Sequence, residues 1–161
     1  MKKILLVLLT LLVSLSSNSF ANKEKKKNVK SVTSYQTVTE NGKSVTYKDS
    51  YAEFDKEGNT TLEIEYDKDG SVDKKLTSKY NAKNDKTEEV EYNSSGAILK
   101  KTVFTYTATG KRYTEVVTDA SGKQLKKMIY TYNLKDLKAT KQSLNNINSQ
   151  ESLKKWDYIY Y

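Results

Sequence analysis

The chain has no cysteine, no histidine and no proline, and only six glycines among its 161 residues. The absence of cysteine excludes disulfides and a thiol nucleophile. The absence of histidine removes the imidazole base, and together they remove the usual zinc ligands. No serine stands in a Gly-x-Ser-x-Gly context, and there is no glycine-rich phosphate loop or dinucleotide fingerprint. Each glycine stands singly, where turn spacing accounts for it. Long hydrophobic runs are also missing. The apolar core from Ile4 to Val13, ILLVLLTLLV, spans 10 residues, against the about 20 that a membrane-spanning helix needs.

That short run fits an export signal instead. Lys2 and Lys3 precede it and Ser19-Phe20-Ala21 follows as a small-x-small cleavage site, so residues 1–21 are expected to be a signal peptide. The mature chain from Asn22 then carries 26 basic against 20 acidic residues, a formal net charge of +6, and no transmembrane segment. Much of the excess lies in KEKKKNVK at 23–30, so residues 22–30 read as a flexible basic start. Export places the protein in the periplasm, on the cell surface or outside the cell, and nucleic acid is not an expected partner.

What the chain does have is tyrosine, 13 in all, set in a regular pattern. Phe54, Tyr66, Tyr80, Tyr92, Tyr106, Thr118 and Tyr132 follow one another at alternating steps of 12 and 14 residues. Four residues after most of them stands a glycine: Gly58, Gly70, Gly96, Gly110 and Gly122. Asn84 takes that place once and Asp136 at the end, both residue types that tolerate a left-handed backbone. An Asp or Asn follows most of the key positions, able to hydrogen-bond the turn backbone. The pattern predicts type I turns with a left-handed fourth residue, a common hairpin connection.

The segments between turns are rich in Thr, Val, Ile and Tyr and too short for typical helices. They predict an all-β fold: an antiparallel meander of about nine strands, forming a single domain over 31–161 and beginning near Lys30, with VTENG at 38–42 as the first turn. Because the steps are even, the register predicts one face of even residues, including Leu62, Ile64, Leu76, Val90, Phe104 and Tyr130. The opposite face has few large apolar residues. It also predicts directly opposed charges at Glu63–Lys75, Lys75–Glu91, Glu89–Lys101 and Glu115–Lys127, worth roughly 0.2–1 kcal/mol each. The sheet is either open and twisted or curled into a partly closed barrel. Residues 134–154 read either as two further strands around NNINSQ or as including a helix, with Trp156, Tyr158 and Tyr160 on a closing strand. A membrane barrel fits poorly, because neither face is free of charge.

No residue stands out as catalytic, metal-ligating or cofactor-binding. Glu63 with Glu65 and Glu89 with Glu91 are the nearest to a hydrolase carboxylate pair, but they alternate with lysines on a solvated face. DKDG and DKEG lack the full oxygen set of a calcium loop. What remains is surface. Tyr47, Tyr51, Arg112, Tyr113 and Trp156 are the candidate partner-binding residues, of the types favoured at binding hot spots. A sheet edge or face is also available for self-association.

FDKEG, YDKDG, YNAKN, YNSSG and YTATG, across residues 54 to 136, resemble the tyrosine–aspartate repeats of bacterial Rhs-type proteins. That resemblance implies an extended or shell-like β structure with no catalysis in the repeat region. The sequence therefore leads to an exported, non-enzymatic structural or binding protein whose partner is a protein or cell-envelope component. Its rivals are a carrier of small apolar ligands inside a closed barrel and a carboxylate-only glycan hydrolase.

Overall fold

The computed structural model describes residues 28–161; the expected signal peptide and residues 22–27 of the basic start lie outside the described residues. Ten strands follow in chain order: β1 (Ser31–Glu40), β2 (Lys43–Phe54), β3 (Thr60–Tyr66), β4 (Val72–Tyr80), β5 (Lys86–Tyr92), β6 (Ile98–Tyr106), β7 (Arg112–Asp119), β8 (Gln124–Tyr132), β9 (Lys138–Leu144) and β10 (Gln150–Lys155). They form one antiparallel sheet in which every strand neighbours its sequence neighbours, with β1 and β10 as its two edges. The sheet is open, so the closed barrel that an internal ligand carrier needs is not formed. The ambiguous C-terminal stretch is β9 and β10 rather than a helix. β10 ends at Lys155. Beyond it Trp156 donates one backbone bond to Ala139, but the expected closing strand over Trp156–Tyr160 is absent.

The turns follow directly from the sequence. Asn41 and Gly42, with φ of 49° and 75°, close the β1–β2 hairpin as a two-residue turn. The other eight turns share one geometry. In the first, Asp55 N–H donates to the Asn59 carbonyl and Gly58 N–H to the Asp55 carbonyl; the last repeats this at Asn145, Ser149 and Asn148. The left-handed position is glycine in five of the eight. Asn84, Asp136 and Asn148 fill it otherwise, at φ of 63°, 59° and 62°. The residue that opens the turn caps it: the side chains of Asn81, Asn93, Asn133 and Asn145 each accept the backbone N–H four residues on.

The expected side-chain parity is overturned. Each pair flanking a turn is as anticipated: Tyr66 faces Val72, Tyr80 faces Lys86 and Tyr106 faces Arg112. One residue later the register steps by one, so Glu65 faces Lys74 and Lys79 faces Glu88. The residues passed over are Thr61, Asp73, Thr87, Leu99, Tyr113, Leu125, Ala139 and Glu151, all six residues beyond the start of a turn. An extra residue on one strand breaks the two-residue alternation. Even residues therefore change sides from one strand to the next. Leu62 and Val90 share a face with Thr77, while Leu76 lies on the other with Glu63 and Glu91.

The expected charge pairs shift accordingly, and Lys75 faces Ile64 and Tyr92. Between neighbouring strands, ion pairs form at Lys79–Glu88, 2.8 Å, Lys100–Glu91, 2.8 Å, and Lys101–Glu88, 2.5 Å.

With apolar residues divided between two faces, the core is thin. Val90 and Leu144 are buried on one side, Phe104 and Tyr130 on the other, and no described side chain is fully enclosed. The structural repeat is 26 residues, two strands and two turns. It is clearest in Tyr80, Tyr106, Tyr132 and Tyr158, whose hydroxyls donate to the carbonyls of Thr60, Lys86, Arg112 and Lys138 at 2.7–2.9 Å. Each of those carbonyls belongs to the residue just before a passed-over position, where the ladder is interrupted.

Candidate functional site

On the face that carries Phe104 and Tyr130, the 26-residue repeat places a cation at the first residue of β5, β7 and β9: Lys86, Arg112 and Lys138. In the first two cases a glutamate three residues on accepts from it. Lys86 Nζ lies 2.6 Å from Glu89 and Arg112 NH1 2.7 Å from Glu115. Burial alone would lower the Arg112 pKa, but its bond to Glu115 outweighs this and the guanidinium is held further toward its charged form. The same guanidinium lies 4.6 Å from the centre of the Phe104 ring. Glu115 is engaged twice, since Tyr130 Oη donates to it at 2.9 Å. Burial, then the neighbouring Glu115, push the Tyr130 phenol well above its ordinary range.

In β9 the glutamate position is Lys141. It faces Tyr130 on β8 and Lys154 on β10. Lys138 and Lys141 lie 5.5 and 5.6 Å from the Tyr130 ring centre, and Lys154 lies 5.0 Å from that of Trp156. These residues, with Arg112 and Glu115, line an open groove of ≈ 680 Å³ across β7–β10. Four cations meet one carboxylate there, and that carboxylate is already committed to Arg112 and Tyr130. Such a surface attracts anions, and its lysine stems and rings supply flat apolar contact.

Of the residues singled out from the sequence, Arg112 and Trp156 come together in this groove. The others do not. Tyr47 pairs with Gln36 in the β1–β2 hairpin, its hydroxyl 2.8 Å from the Gln36 amide oxygen. Tyr51 donates to Glu53 on its own strand. Tyr113 is one of the passed-over residues and is exposed, at 48%. The groove's Tyr130, Lys138, Lys141 and Lys154 escaped sequence reasoning. The available signal was the substitution of lysine, at 141, into the series Glu63, Glu89, Glu115.

Of the glutamates considered for hydrolysis, Glu89 is held by Lys86 and Glu91 by Lys100. Among the described residues no group of three or more His, Cys, Asp and Glu could hold a metal ion. No helix among them is long and apolar enough to cross a membrane.

No protein-family model matches the chain, and no curated protein matches it. Among solved structures, a porin-like protein from Bacteroides uniformis is similar over 72% of this chain and 78% of its own, at 8% identity and a TM-score of 0.33. A likeness that slight carries no argument about function.

Proposed function

We propose that the protein is an exported, non-enzymatic binding module that holds a cell-envelope component or protein against the β7–β10 end of its sheet. The observation that carries this reading is the convergence of Arg112, Lys138, Lys141, Lys154, Tyr130 and Trp156 on one groove. The groove over Tyr80, Lys86, Tyr106 and Arg112 also holds two cations, but its Asp85 sets a carboxylate beside them. Strand addition is the weaker route, because edge strand β10 carries Lys154 and Lys155, and edge lysines discourage pairing. The export signal and the absence of His and Cys support the rest of the reading.

The test is retention of envelope material by the purified full chain and by its Trp156→Ala and Arg112→Ala variants. The reading expects a specific component to be retained by the wild type and lost by Trp156→Ala. Retention that neither substitution alters, or none at all, would remove it.

A further inference from the structure

The ladder obeys a charge rule that its last repeat breaks. From β3 to β9, every directly opposed pair of charged residues is of opposite sign: Glu65–Lys74, Lys79–Glu88, Glu91–Lys100 and Lys100–Asp119. Between β9 and β10, Lys141 stands directly opposite Lys154. Like charges placed so are destabilising. Neither lysine has an ion-pair partner among the described residues; their ammonium groups lie over Tyr130 and Trp156 instead. Lys138, three residues from Lys141, adds a third cation where the earlier repeats have a cation and a glutamate. The fold thus sets two opposed lysines where they also meet a groove and two aromatic rings. An anion seated between the lysines would relieve their repulsion.

Resting on the binding reading above, we infer that this groove takes a carboxylate-bearing polysaccharide. Its carboxylates sit between Lys141 and Lys154 and beside Lys138, and its sugar faces lie against Trp156. The chemistry favours this occupant on three counts. The groove is open, which suits a chain rather than an enclosed small molecule. Arg112, the one planar fork suited to bidentate capture of a phosphate, is already spent on Glu115. Lysine is a compact point charge on a flexible stem, which suits carboxylates spaced along a chain. A peptide, by contrast, would extend edge strand β10, whose Lys154 and Lys155 discourage strand pairing.

The test is calorimetric titration of the full chain with polygalacturonate, with a neutral glucan and poly-L-glutamate as the other two titrants. Binding to polygalacturonate is expected, weakened by added salt and absent for the neutral glucan. Lys141→Glu restores the cation–glutamate spacing of the earlier repeats. It should lower affinity by about tenfold or more while the thermal midpoint stays level or rises, a combination that a merely structural lysine would not give. Lys154→Gln should lower affinity with its melting unchanged.

The inference is overturned if polygalacturonate does not bind, if it binds both variants as tightly as the wild type, or if poly-L-glutamate binds more tightly. If the wild type ignores polygalacturonate yet retains an envelope component through Trp156, this inference fails and the binding reading stands. If Trp156→Ala changes nothing in either assay, both fail.

Discussion

The Tyr106 hydroxyl donates to the Lys86 carbonyl oxygen at 2.7 Å, across the boundary between two repeats. That carbonyl lies beyond Glu88–Val103, the last pair of the β5–β6 ladder, so the tyrosine gives it a partner on the β6 side. Tyr106→Phe keeps the ring and removes the donor. It should destabilise the sheet by about 1–2 kcal/mol, the range for a lost hydrogen bond with a part-buried acceptor left behind. Tyr158→Phe removes the equivalent bond to Lys138 at an exposed position and should cost less. Urea unfolding of the two variants checks this; equal and negligible effects would show that the tyrosines matter only as apolar bulk.

The left-handed turn position gives a prediction in two directions. A side chain added at Gly110 would meet nothing within 4 Å, so any cost of Gly110→Ala comes from its φ of +78° alone. That cost is roughly 1–2 kcal/mol. Asp136 holds the equivalent position at φ 59°, and Asp136→Gly should stabilise by up to about 1 kcal/mol. Thermal midpoints moving in opposite directions are the expected result.

Turn position, turn type and the strands up to Tyr132 were legible in the sequence, because Asp/Asn-x-x-Gly has a mechanism at each residue. Beyond Asn133, where the pattern loosens, β9 and β10 were left open against a helix, and a closing strand at Trp156 was expected that is not formed. Even the substitutions Asn84 and Asp136 fell where a left-handed residue is needed. The extra residue after each turn was not legible. Thr61, Asp73, Thr87, Leu99, Tyr113, Leu125, Ala139 and Glu151 share no chemistry, and a bulge fixed by backbone geometry leaves no compositional mark. The lysines concealed the error further. They come in doublets at 74–75, 100–101 and 126–127, so a register wrong by one still sets glutamate against lysine. The groove was half legible: Arg112 stood out as a residue the even-face core did not need and Trp156 as an aromatic at the sheet's end, core or exposed, while Lys138, Lys141 and Lys154 drew no notice until the strands aligned them.

Because the chain has no cysteine, its register can be tested by paired substitution. Thr77 faces Val90 across β4 and β5, whereas unbroken even parity would set Leu76 there. Directly opposed residues have Cα atoms about 4.5–5.5 Å apart, within reach of a disulfide. Thr77→Cys with Val90→Cys should therefore oxidise readily, and Leu76→Cys with Val90→Cys should not, since Leu76 lies on the other face. Thiol titration after mild oxidation reads the result, and the reverse outcome would restore an uninterrupted alternation.

Glu88 supplies the pH prediction. Its carboxylate accepts from Lys101 at 2.5 Å and from Lys79 at 2.8 Å, and its side chain is 19% exposed. These two hydrogen bonds, Lys101's the larger, hold its pKa below the ordinary 4.5 against the opposing effect of burial. The native state therefore binds this proton less readily than the unfolded chain does. By linkage its contribution to stability is fully present above about pH 4.5, and it is lost as pH falls through the lower, folded value. Lys79 is drawn the other way, raised first by its hydrogen bond to Glu88, but it is exposed and titrates far from this window. Glu88→Gln should lower stability at neutral pH and flatten the acid limb of the stability curve below pH 4.5, so that variant and wild type converge at the acid end. Urea midpoints measured from neutral to strongly acidic pH test this, and parallel acid limbs would show that the Glu88 bridges contribute nothing to the native sheet.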